Sequence, residues 1–551
     1  MVKRRLADWK SKTANKNQSD EDRETGNSIT IFMKRNESVQ ELITTAHWDI
    51  IIIGGGATGL GCAVDAASRG YKTLLLEKFD FAKGTSSRAT KLVHGGVRYL
   101  AQGNFRLVRE ALQERGRLLK NAPHICHTLA FVVPSFKWWQ KWYYGFGLWL
   151  YEWLSATLSL GPTKLLSKKD ALENLPDLAA EKLSGGVLYF DGQFDDSRLT
   201  INLAQTATEQ GATVINYCGV IDFIKHGKKI TGVKVKDEIT GNEYGISGKV
   251  VINATGVFAD DLLQLAEGKQ EKTIAPSQGI HLVVCKHFFK GSAGLMIPKT
   301  DDGRVLFAIP WHDKLLLGTT DTPVANITTE PKPLKEEIDF VIAHFNRYTS
   351  STIQYSDVLS VFVGLRPLAK SGNVKKTAVM PRDHQIVVLP SGLVHVTGGK
   401  WTTYRSMAEH AIDKALESVG LTKVICKTNN LAIHGCTKNK EESHLSIYGT
   451  DAADIKMLIN SDAKLAQPIH LNYPYTFAEV QWMMEHEMAI TVEDILARRI
   501  RLLFLDAKAA IEAAPVVAKF MATQNGENEQ WAKEQVKEFV ELAKGYLVIG
   551  E

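Results

Sequence analysis

The run WDIIIIGGGATGLG, from Trp48 to Gly61, restricts the possible folds of this chain more than any other segment. Four consecutive isoleucines read as a strand buried on both faces, and the glycines after them force a tight turn into a helix. Gly54 permits the turn, Gly56 lets backbone approach a pyrophosphate, and Gly59 packs helix against strand. The helix N-terminus offers free N–H groups and partial positive charge to that anion. Thr73 to Leu76 give a second strand, and Glu77 stands 23 residues after Gly54, where a carboxylate grips an adenosine ribose. The glycine pattern alone is a weak signal. Strand, turn, helix, strand and acid in this order point to a bound dinucleotide.

A chain of 551 residues is long for one core, so about two to four domains are expected. The mild net charge of +5 fits an anionic substrate or membrane surface, and equally fits mere solubility. No lysine–arginine stripe with interleaved aromatics is present, which speaks against nucleic acid. The six cysteines are scattered without a CxxC pair, so neither disulfides nor a zinc site is expected, and a reducing cytoplasm is the expected setting. His486-Glu487 superficially resembles a zinc-protease helix, but Ile490 occupies the place of the second histidine. No metal is expected.

Residues 1–40 carry nine basic and six acidic residues and few apolar ones. They read as a polar, mobile extension reaching to residue 46, with membrane contact by residues 1–12 as the alternative. No stretch reaches the ~18 apolar residues needed to cross a bilayer. Residues 135–154 nevertheless place five of the eleven tryptophans (Trp138, Trp139, Trp142, Trp149, Trp153) among tyrosines and two lysines. Tryptophan and tyrosine favour the headgroup boundary, so this stretch is expected to lie on a membrane surface. Asn104 suits the cap of a helix ending before Pro123. Residues 229–253 alternate around a turn at Thr240-Gly241-Asn242, and 280–320 are strand-rich. From about 431 the texture is helical, with capping-box starts at Thr476 and Thr491.

Five separated motifs share one resemblance: Thr85-Ser-Ser-Arg-Ala-Thr-Lys-Leu-Val-His94-Gly-Gly-Val-Arg98-Tyr99-Leu100, Asn253-Ala-Thr-Gly256, Gly318-Thr-Thr-Asp321, Gly364-Leu-Arg366-Pro367 and Gly398-Gly-Lys400-Trp-Thr402-Thr403. Together they are similar to the FAD-dependent, quinone-reducing glycerol-3-phosphate dehydrogenases. The likeness runs from about residue 47 past 500, including Val492-Glu-Asp-Ile-Leu-Ala-Arg-Arg. It implies an α/β fold with a Rossmann-type FAD-binding domain of the glutathione-reductase and D-amino-acid-oxidase kind. An antiparallel-sheet substrate domain and a helical C-terminal domain (431–551) complete it. The expected FAD part is about 47–134, 186–268 and 362–430, and the expected substrate part about 135–185 and 269–361. Trp401 stands where leucine is commoner, and Val257-Phe258 where Pro-Trp is usual. No EF-hand loop is found, so the calcium-regulated mitochondrial form is not indicated.

The resemblance implies oxidation of sn-glycerol 3-phosphate by hydride transfer to FAD, electrons passing to a membrane quinone. The protein would be attached peripherally to the cytoplasmic face of the inner (plasma) membrane, with a homodimer left open. It makes His94 the proton acceptor, with His281 second as base and first as a hydrogen-bonding partner. Arg366 and Arg98 would clamp the phosphate dianion, guanidinium suiting it better than ammonium. Tyr99 and Lys400 would stand close to substrate or flavin. Cofactor contacts would come from Gly54, Gly56, Gly59, Glu77, Thr85, Ser86, Ser87, Thr90, Lys91, Leu92, Gly399, Lys400, Thr402 and Thr403. Three rivals stay open: a glycerol-3-phosphate oxidase using oxygen, an FAD-linked amine or 2-hydroxyacid oxidoreductase, and a non-catalytic FAD-binding scaffold.

Overall fold

Ile50 and Ile52 face one way and Ile51 and Ile53 the other, and both faces of the strand Trp48–Ile53 are covered by protein. That double burial is why the run shows no polar alternation. In the computed structural model the described residues are 33–100, 103–268, 272–370, 384–439 and 443–548, without the side chains of Arg98 and Thr157. Trp48–Ile53 lies within a sheet ordered His384–Val388, Val394–Gly398, Glu243–Asn253, Trp48–Ile53, Thr73–Leu76, Thr213–Ile215. It is parallel from Val394–Gly398 onward. One face packs on helices Ala57–Ser68, Asp196–Glu209 and Tyr404–Val419. The other is covered by the antiparallel strands Cys218–His226 and Lys229–Asp237.

A second sheet of ten strands is mostly antiparallel. Its longest pair, Ile274–Cys285 with Val358–Ala369, buries one face against the helix Lys335–Tyr348. Here the expected partition shifts. Leu92–Val93, Cys126–Ser135, Gly185–Phe194 and Val358–Ala369 all belong to this second sheet, although most of their residues were expected in the FAD part. Apolar runs read alike in either sheet, and pairing alone decides membership.

The N-terminal extension is also shorter than expected. Met33 is buried, and residues Arg35–Thr44 form a helix that buries Leu42. Arg35 donates to the Asn216 and Tyr217 carbonyls and to Asp237 Oδ1. Leu42, the half-buried Val39 and one arginine hold this helix, too faint a pattern to see in a polar stretch. Residues 1–12, the alternative membrane contact, lie outside the described residues. The helical region after 431 carries the two strands Pro468–His470 and Tyr473–Thr476, and from Met33 onward the chain forms one compact unit. Local signals hold: Asn104 accepts from Leu107 N, and Thr476 and Glu479 form a capping box.

His434 joins the C-terminal region to the helix Asp196–Glu209. Its Nδ1 meets Glu209, and its Nε2 lies 2.8 Å from Asp451. Burial alone would lower its pKa, but Asp451 and Glu209 raise it to about 10 from 6.5. A folded-state pKa above the unfolded one stabilises fully below pH 6.5, and that stability is lost as pH rises through about 10. The thermal midpoint is therefore expected to fall between pH 7 and 10, more steeply in the wild type than in His434→Gln. Equal slopes would refute this linkage.

The aromatic stretch forms the helix Gln140–Ser155. Gly145, Leu148, Tyr151 and Ser155 face inward at helical spacing. Outside, Trp138, Phe146 and Trp153 are 76%, 71% and 74% exposed, with Trp142 and Tyr143 beside them. Such a contiguous apolar surface marks an interaction face. Among the described residues no helix is long and apolar enough to cross a membrane.

Candidate active site

The dinucleotide turn is built by close contacts that admit no side chain. Gly54 has φ +113°, and a Cβ there would lie 2.7 Å from the Ala254 carbonyl oxygen. At Gly59 a Cβ would lie 1.8 Å from the Gly54 carbonyl oxygen, so this glycine serves the packing of helix on strand. At Gly56 it would meet Ser86 Oγ at 2.9 Å, the same oxygen that accepts from Ala57 N. Ser86 thus caps the helix start. Glu77 accepts from Gly55 N at 2.6 Å and Phe79 N at 2.8 Å. Burial raises its pKa against the pull of those amides.

These elements border a cavity of about 770 Å³. Its wall runs from Glu77, Lys78 and Phe79 past Gly54, Gly56, Thr58 and residues 82–86, then along 254–258 to Thr328, Thr329, Pro367 and 398–401. The volume is within the range of cofactor sites. Trp401 is built into the protein: its Nε1 donates to Ser86 O at 3.0 Å, and its ring meets Phe194 and Tyr404 edge-on. Val257 and Phe258 simply become wall.

Beside this cavity the segments 94–100 and 398–403 meet. His94 N donates to Thr402 Oγ1 at 3.1 Å, and that hydroxyl donates back to His94 O at 3.3 Å. Lys400 Nζ sits 3.9 Å over the Tyr99 ring. The structure therefore brings together His94, Tyr99, Lys400 and Thr402, which are up to 308 residues apart. His281 Nε2 is 2.9 Å from Thr90 Oγ1, and its ring stacks on Phe362. Burial, then the positive charges of Lys91 and Arg366, hold its pKa well below the ordinary value. The imidazole is accordingly neutral. Arg366 donates to Thr320 O, Thr319 Oγ1, Gln278 O and Asp321 Oδ1 between 2.8 and 3.2 Å. One residue earlier, Leu365 O accepts from Thr85 Oγ1, and one residue later Pro367 lines the cavity.

Several residues expected at the cofactor have partners within the protein. The Lys91 side chain turns into the protein, where Nζ binds Ser87 O and both oxygens of Asp196. Burial brings its pKa down to about 8, with Asp196 opposing. A positive φ of 62° at Lys91 aims the side chain there. Ser87 is buried with its hydroxyl on Gly84 O, Leu92 pairs with Gln193 in the second sheet, and Thr90 serves His281. Thr403 donates to Lys400 O. Gly399, Lys400, Thr85 and Ser86 do line the cavity. Arg98 lies on the short helix Val97–Leu100, its side chain outside the described residues.

Sequence reasoning missed Asp321, which anchors Arg366, and Asp196, which neutralises Lys91. Asp321 ends the Gly318-Thr-Thr-Asp321 motif, a signal that carried no role without its distant arginine. Among the described residues, His281 Nδ1 and Asp321 Oδ2 are buried without a hydrogen-bond partner. No cluster of three or more histidines, cysteines or acids there is placed to hold a metal.

A glycine-turned dinucleotide cavity beside a second, mostly antiparallel sheet is an arrangement that suits a flavin-dependent oxidoreductase. Family models agree: "FAD dependent oxidoreductase" matches residues 49–413, and "C-terminal domain of alpha-glycerophosphate oxidase" matches 394–535. The mitochondrial glycerol-3-phosphate dehydrogenase of Macaca fascicularis is 37% identical over 549 residues, spanning 93% of this chain and 75% of that protein. Its counterpart in Arabidopsis thaliana is 36% identical over 543 residues, spanning 91% and 86%. The crystal structure of glycerol-3-phosphate dehydrogenase from Bacillus halodurans complexed with FAD superposes with a TM-score of 0.76 at 28% identity, covering 93% of this chain and 97% of that one. The chain belongs to the FAD-dependent glycerol-3-phosphate dehydrogenase family. FAD is its cofactor, and the cavity's glycines, Glu77 and Ser86 fit it.

Proposed function

We propose that this protein oxidises sn-glycerol 3-phosphate to dihydroxyacetone phosphate and passes the electrons through FAD to a membrane quinone. The observation that carries this is the meeting of His94, Tyr99 and Lys400 at the edge of the cofactor cavity, in a chain whose relatives bear that enzyme's name. Held by Gly54, Gly56, Glu77 and Ser86, bound FAD would supply the acceptor for the hydride that leaves C2 of the substrate. The hydroxyl proton must leave to a base, and His94 is the one assigned. A buried neutral His281 flanked by positive charge accepts a proton poorly, which suits it to hydrogen-bonding the substrate. Arg366 and Arg98 bind the phosphate, with Asp321 fixing the Arg366 fork. Lys400 supplies positive charge where the substrate and flavin ring meet.

The test is anaerobic. Adding sn-glycerol 3-phosphate to the yellow protein bleaches its flavin band, and quinone restores it. Flavin unmoved by this substrate supports the scaffold rival. Bleaching by an amine or a 2-hydroxyacid alone supports a different oxidoreductase, and restoration by oxygen as fast as by quinone supports the oxidase.

Peripheral attachment through the helix Gln140–Ser155, at the cytoplasmic face, completes the proposal; the relatives from Macaca fascicularis and Arabidopsis thaliana are called mitochondrial, which is said of those proteins. Each exposed tryptophan moved to serine removes ring area that favours the headgroup boundary. The double variant Trp142→Ser/Trp153→Ser is expected to lose most of its co-sedimentation with phosphatidylglycerol-containing vesicles while keeping its flavin. Undiminished binding would remove this helix from the interface.

A further inference from the structure

The cavity wall between Glu77 and Ser86 is held from outside by a segment more than 400 residues away, residues 493–501. Asp80, fully buried just past Glu77, accepts from Arg498 Nε and from both terminal nitrogens of Arg499, Nη2 to Oδ1 at 3.0 Å. Lys83 pairs with Glu493, and with Glu330 at 3.0 Å. Arg501 Nη2 donates to Ser87 O at 2.7 Å, next to the serine that caps the dinucleotide helix. Between these anchors Ala82 has φ +64°, a conformation that an alanine keeps only where its surroundings over-determine it. The anchoring segment is itself unusual: Asp494–Arg499 is a π-turn, and Arg501 has φ +70°. That backbone turns three arginines inward within four positions. Glu493, Asp494 and the Glu487 carbonyl steady them.

Neither Asp80 nor the arginines line the cavity, so they are positioning residues acting through Glu77 and Ser86. We propose that residues 493–501 are a latch for the flavin: docking this segment fixes the wall 77–87 in its FAD-binding shape. This rests on the reading of the cavity as the FAD site. Two events that favour the same conformation favour each other equally, so FAD binding must tighten the latch as much as the latch tightens FAD. Buried ion pairs lose their compensation when one partner goes, so the wall relaxes rather than merely losing one contact.

Full-length wild type, Arg499→Lys, Arg501→Met and the control Arg347→Ala, whose ion pair with Asp301 is exposed, are stripped of flavin and titrated with FAD. Equilibrium dialysis gives Kd, and far-UV circular dichroism in saturating FAD checks the fold. Arg499→Lys and Arg501→Met are expected to raise Kd at least about tenfold, and Arg347→Ala to leave it at the wild-type value. Limited trypsinolysis reads the reciprocal effect: FAD should slow cleavage around 493–501 in the wild type and protect less in the two latch variants. Folded variants with wild-type Kd, or wild-type cleavage indifferent to FAD, overturn the latch. Should the variants not fold, the wild-type cleavage comparison decides alone. A wild type that takes up no FAD overturns the cavity reading itself, a separate failure.

Discussion

His94→Ala is expected to slow substrate-driven flavin reduction by about 10²–10⁴, the usual contribution of a positioned general base. His94 is tied by its backbone to Thr402, the neighbour of the cavity residue Trp401, and alanine retains those bonds, so the loss reports the ring and not the loop. The discriminating partner is His281→Ala. That ring is buried, stacked on Phe362 and bonded to Thr90, and the charges of Lys91 and Arg366 oppose its protonation. Its removal should lower the rate less and without moving the acid limb of the pH profile. Stopped-flow absorbance at the flavin band measures both. A larger loss in His281→Ala, together with the disappearance of that limb, would exchange the two roles.

Arg366→Ala should raise KM for sn-glycerol 3-phosphate by roughly ten- to a hundredfold, because each charge-assisted bond to phosphate contributes about 1.5–3 kcal/mol. The guanidinium also stitches Asp321, the Gln278 and Thr320 carbonyls and the Thr319 hydroxyl together, so it is a staple of the second sheet as well. Those two jobs separate cleanly in measurement. A clamp raises KM for the phosphorylated substrate while glycerol, lacking the phosphate, is oxidised as poorly as before. A staple lowers the thermal midpoint and leaves KM where it was. The latter outcome would move phosphate binding to other residues.

Much of the cofactor end was legible because its physics is local. Gly54 and Gly59 are five positions apart, and the contact that excludes a side chain at Gly59 is with Gly54 itself. Glu77 follows a four-residue strand whose partner is the strand before the turn. The Asn104 cap and the Thr476–Glu479 box close within three residues. Lys91 shows the opposite case. It stands in a serine-rich motif that suggests cofactor contact, yet Asp196, 105 residues on, draws its ammonium into the interior.

By itself the sequence determined a dinucleotide turn, a family and the residue types available for an alcohol oxidation. Steric exclusion at glycine, capping and β-periodicity act over a handful of bonds and are written in spacing. Only the tertiary structure decided which sheet the strands Cys126–Ser135 and Gly185–Phe194 join, that Asp321 anchors Arg366, and that Asp80 meets Arg499 across 419 residues. Charges and strands pair in space by burial and desolvation, whose outcome depends on everything else that is excluded from water at the same point.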